Sequence, residues 1–133
     1  MCLHSMFLPG PHRTPSYFWQ PDRARSVIDV FSFRSDKFVN RIELKGALST
    51  DPTPDALAIS PNMDYAFVSL RGLYPQSADP HVSTGSSPGL GVLKLFSAGR
   101  TAKFIDILPI TNMVGGINRA DPHALDMRAV TTQ

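Results

Sequence analysis

The residues with most chemical potential in this chain are two copies of one tetrapeptide. Ala78-Asp79-Pro80-His81 and Ala120-Asp121-Pro122-His123 each set a carboxylate two positions before an imidazole. Carboxylate plus imidazole is a usable ligand set for several divalent metals, and two such pairs on one face could share an ion or a polar substrate. The alternative is that Asp-Pro serves only as a turn former. Asp55 and Arg71 join the candidates. Asp55 opens an apolar run, and Arg71 stands where an extended run gives way to a long loop and can meet an anion. The candidate ligand-binding set is therefore Asp55, Arg71, Asp79, His81, Asp121 and His123. Their types call for no cofactor.

Other chemistries are excluded or weak. Val82–Pro88 has the Gly and hydroxyl content of a phosphate cradle but lacks the Lys and the strand-to-helix setting of a P-loop, so it reads as a surface loop. There is no G-x-S-x-G nucleophile elbow. Cys2 is the single cysteine, which rules out an internal disulfide and a zinc ribbon. His4 and His12 lie in an irregular stretch with no motif around them, and Tyr17-Phe18-Trp19 is an aromatic cluster suited to a core or a partner anchor.

Thirteen basic and eleven acidic residues are dispersed, for a net charge of +2. No basic stripe forms, which argues against nucleic acid as a partner. No stretch approaches the ~20 apolar residues of a membrane helix, so no membrane partner is expected. The patch Met6-Phe7-Leu8, cut by Pro9, is too short for a signal-peptide core. The compartment stays open.

The elements that must position the candidates are short and extended. Twelve prolines and nine glycines leave little room for long helices. Ser26–Phe33 is rich in Val, Ile and Phe, and Phe38–Leu44 alternates apolar with polar residues, the period-two mark of a half-buried strand. The pair predicts a hairpin. Ala56–Ile59 and Tyr65–Leu70 predict a second, turned by Ser60-Pro61-Asn62-Met63. Val92–Phe96 and Lys103–Ile110 predict a third. A loop at Thr111–Pro122 and a seventh strand at His123–Val130 follow. Residues 71–91 read as an inserted loop, 1–25 as an irregular N-terminal segment and 131–133 as a tail; the strands occupy 26–130.

These pieces repeat in order. Ser26–Ser32 lies over Gly91–Ser97, offset by 65 positions (26 to 91). Lys37–Ile42 lies over Lys103–Leu108, offset by 66 (37 to 103), and Pro54–Ile59 over Pro122–Met127, offset by 68 (54 to 122). Self-similarity in a fixed order is the signature of a repeat architecture. By this alignment Asp55 and His123 are equivalent.

The motif Pro54-Asp55-Ala56-Leu57-Ala58-Ile59-Ser60-Pro61-Asn62, followed by Ala66-Phe67-Val68-Ser69, resembles the inner hairpin of YVTN-type β-propeller repeats. Val27-Ile28-Asp29 with Lys37–Leu44 resembles the outer hairpin. Asn62-Met63 stands where Asp-Gly is usual, Leu70 where Asn is usual, and Lys94 replaces the Asp of Val-Ile-Asp. The resemblance implies an all-β fold: a fragment of a β-propeller, with two outer strands of one blade (26–44), one complete four-stranded antiparallel blade (55–110) and the innermost strand of a third (123–130). Seven strands cannot close a ring. The expected partners are therefore the remaining blades of a longer chain or other copies of this one, with a protein or small molecule as ligand. The resemblance implies two functions, a binding scaffold or a part of a lactonase-like hydrolase or cofactor-dependent propeller enzyme with its site at the central channel. Without an assembled acid/base or nucleophile pair, the scaffold is the expectation.

Overall fold

The computed structural model of the chain describes residues 6–9, 15–75, 84–128 and 130. Within them the fold is all-β and antiparallel, with no α-helix and a single 3-10 turn at Ser97–Gly99. Strands β1 (Met6–Pro9), β2 (Pro15–Asp22), β3 (Val27–Ser32) and β4 (Phe38–Glu43) form one sheet in the order β1-β2-β3-β4. Strands β5 (Pro54–Ile59), β6 (Tyr65–Leu70), β7 (Gly89–Phe96) and β8 (Thr101–Pro109) form a second in the order β5-β6-β7-β8. Each is a plain meander in which every strand pairs with its neighbour in sequence.

The two sheets stack in the same sense. β5 lies against β1 and β2, and β8 lies against β4. To achieve this, the chain leaves β4 at one edge of the first sheet and crosses through residues 44–53 to begin β5 at the opposite edge. The face between the sheets is the core. Trp19, Ile28, Val30, Ile42 and Leu44 come from the first sheet or its margin, and Ala66, Val68, Leu70 and Leu93 from the second. All have 3% exposure or less, and burying a side chain of this size is worth about 1.5–3 kcal/mol. The Trp19 indole Nε1–H donates to the Gly99 carbonyl at 2.8 Å, so the core's largest ring also ties the first sheet to the β7–β8 turn.

The faces turned away from this core are not polar. On the first sheet Phe18, Phe31 and Phe38 are directly paired across three strands. Phe18 and Phe31 stack with ring centroids 4.9 Å apart, and Phe38 meets Phe31 edge-on at 5.9 Å. On the second sheet the same role falls to Phe67 paired with Val92, and Leu90 paired with Leu108. Phe67, Val92 and Leu90 are half-buried and Leu108 is 50% exposed.

Four differences from the sequence reading have physical causes. Residues 1–25, expected to be irregular, contain β1 and β2, so the first sheet has four strands where two were expected. Pro15 and Pro21 look like breakers, but Pro21 lies beyond Met6↔Trp19, the last described pair with β1, where a missing N–H breaks no described β1–β2 pairing. The loop at Thr111–Pro122 holds a two-residue hairpin, β9 (Met113–Val114) with β10 (Ile117–Asn118). Its turn is Gly115-Gly116, at φ 60° and 79°, where two successive positive φ values favour glycine. The expected strand His123–Val130 is not one: among the described residues no segment pairs with it, and an isolated extended segment has no ladder. Finally, Met63 in the turn between β5 and β6 holds φ 59°, so this turn carries a side chain in the left-handed region. Three local bonds support it: Met63 N–H to the Ser60 carbonyl at 2.8 Å, Ser60 Oγ to Asn62 Oδ1 at 2.7 Å, and Tyr65 N–H to Ser60 Oγ at 3.0 Å.

Candidate functional site

Five charged or titratable side chains converge where the first and second strands of the sheets end. Arg23 follows β2 directly, Arg71 follows β6 directly, and Asp55 is the second residue of β5. Asp121 and His123 come from the segment after β10, which returns across the end of the second sheet. Backbone fit holds it there. Gly72 lies so close to this segment that a Cβ added to it would stand 1.8 Å from the Ala120 carbonyl oxygen, and Ala120 is 3% exposed.

Arg71 is the centre of the cluster and is shut off from solvent at 0% exposure. Its Nε and Nη2 donate to the two oxygens of Asp121 at 2.5 and 2.6 Å, a bidentate fork, and its Nη1 donates to Asp55 Oδ2 at 3.3 Å. The Gly72 amide adds a bond to Asp121 Oδ1 at 3.3 Å. Asp55, 1% exposed, accepts from Arg23 Nη2 on its other oxygen, Oδ1. His123 Nδ1 lies 3.0 Å from Asp55 Oδ2, while its Nε2 is 3.8 Å from Asp121 Oδ2, beyond hydrogen-bond reach. The imidazole side chain is 45% exposed and forms the solvent-facing part of the group.

Two guanidinium groups therefore face two carboxylates, and the charges cancel. Burial pushes the Asp121 carboxyl up, but the Arg71 and Gly72 hydrogen bonds and the charges of Arg71 and His123 outweigh it and hold the group below the usual carboxylate range. Burial likewise works against the Arg71 charge. The fork to Asp121 and the charges of Asp121 and Asp55 override it and raise the arginine above its ordinary value.

The cluster has a repeating logic. In each sheet an arginine placed immediately after the second strand donates to a carboxylate at or just before the next apolar Pro-led segment. Arg23 reaches Asp55 in Pro54–Ile59, and Arg71 reaches Asp121 beside Pro122–Met127.

Of the six candidates from sequence, Asp55, Arg71, Asp121 and His123 meet in this one cluster. Asp79 and His81 lie outside the described residues, and with them the question of whether the two Asp-Pro-His motifs meet. Arg23 was missed. Its signal was the arginine after each second strand, legible only once β2 is recognised as a strand. The Ser-rich loop 84–88 is not arranged as an anion cradle: it is docked on an anion of the chain itself. Ser86 donates to Asp51 from N–H at 3.0 Å and from Oγ at 2.6 Å, and Ser87 Oγ lies 2.9 Å from Ser49 Oγ. Among the described residues no group of three His, Cys, Asp or Glu is disposed to hold a metal ion. The arginines already occupy the carboxylates that such a group would use.

Shape alone points elsewhere, to an open groove of about 310 Å³ between the β4 and β8 margins, lined by Glu43, Leu44, Lys45, Ala102, Lys103 and Phe104. It shares no residue with the ionic cluster. We place the candidate site at the cluster because Asp55 and Arg71 are buried and the five groups are mutually oriented, whereas the groove's lysines are exposed. No protein-family model, curated protein or solved structure matches this chain.

Proposed function

We propose that the chain is a section of a YVTN-type β-propeller that works as a binding scaffold, with its recognition surface at the rim where Arg23, Asp55, Arg71, Asp121 and His123 converge. The observation that carries this reading is the crossing from β4 back to β5, which stacks two meanders in the same order. A two-sheet sandwich turning at β4 would set β5 beside it. Successive propeller blades return to the opposite edge. The apolar outward faces support the same reading, since a free-standing sandwich presents polar residues there, whereas a blade has a neighbour on each side. In this arrangement the β1 and β5 edges line the central channel, and the cluster stands at its mouth. Its ligand is a polar small molecule or peptide group that meets the exposed edge of His123.

The hydrolase reading has one observation in its favour, the 3.0 Å approach of His123 Nδ1 to Asp55, as in a base held by a carboxylate. It is the weaker reading. Asp55 also accepts from two arginines, so His123 shares this carboxylate with two cations. A panel of sugars, carboxylates, peptides and lactones, assayed by thermal shift and by turnover, tests the scaffold. The expected result is stabilisation by at least one compound, lost in His123→Ala, with no turnover. Turnover of a lactone or ester that disappears in His123→Ala would replace the scaffold with the enzyme.

A further inference from the structure

We draw no further inference here: the strongest candidate, the open groove between the β4 and β8 margins, carries both signs of charge on its lining, with Glu43 against Lys45 and Lys103, and nothing in the structure shows what covers it.

Discussion

Two arginines of this chain hold an aspartate in the same way, and their surroundings differ. Arg41 on β4 reaches across to Asp29 on β3 with Nε at 2.6 Å and Nη2 at 2.9 Å. Arg71 grips Asp121 with the same two nitrogens at 2.5 and 2.6 Å. The first fork lies open on the outward face of its sheet, where the Arg41 side chain keeps 37% exposure and also rests near the Phe38 ring. The second has an arginine at 0% and an aspartate at 10%. Geometry is thus nearly constant while access to water changes. Breaking the open pair hands both groups to solvent, which costs little. Breaking the closed pair takes from Asp121 its bidentate partner and from Asp55 one of its two arginines, at the seam of three segments.

The largest effect should come from Arg71→Ala. Leaving those carboxylates without their shared cation should cost about 3–5 kcal/mol in urea unfolding followed by circular dichroism, enough to threaten folding of a small protein. A loss no larger than that of Arg41→Ala would break the comparison. Gly72→Ala comes next. It leaves every charge in place but drives a Cβ into the Ala120 carbonyl, and overpacking against backbone costs about 1–3 kcal/mol. Gly46→Ala, with nothing within 4 Å of the added atom, is the matched control and should unfold like the parent.

A smaller effect should appear in acid. The folded Asp121 carboxyl sits below its unfolded value, so its contribution is complete above the unfolded pKa and is lost as pH falls through the lower folded one. Asp121→Asn should therefore flatten the acid limb of a stability–pH curve while leaving the slope near neutrality alone. An unchanged acid limb would mean that the fork holds the segment without coupling to protons. The smallest effect belongs to Arg41→Ala: a midpoint shift too small to resolve in the same titration, shrinking further in salt.

Much of this arrangement was legible in the chain itself. The short alternating or β-branched runs of β3 to β8, with the period of two in Phe38–Leu44, predicted their strands, and the repeat aligned β3 with β7 and β4 with β8. Asp55 and His123 were matched as equivalent positions and prove to be in contact. What escaped notice has a common cause. β2 has two prolines within Pro15–Asp22, and a local reading cannot see that Pro21 sits beyond the described pairing with β1. With β2 hidden, Arg23 had no frame of reference. The last expected strand failed for the opposite reason. Its residue pattern is that of a strand, but ladder formation is a property of two segments, and none of the described residues provides the second.

The position of Trp19 has a practical consequence. It is the chain's sole tryptophan, fully enclosed, and bonded through its ring nitrogen to a carbonyl eighty residues away in the other sheet. Its emission is therefore an intrinsic optical gauge of whether the two sheets are together, blue while they are and shifting red as they part. The returning segment at 120–128 is not part of that core cluster, so its release should leave the colour untouched. Unlabelled protein can thus report detachment of that segment and separation of the sheets as two distinct signals, the first by amide exchange and the second by light.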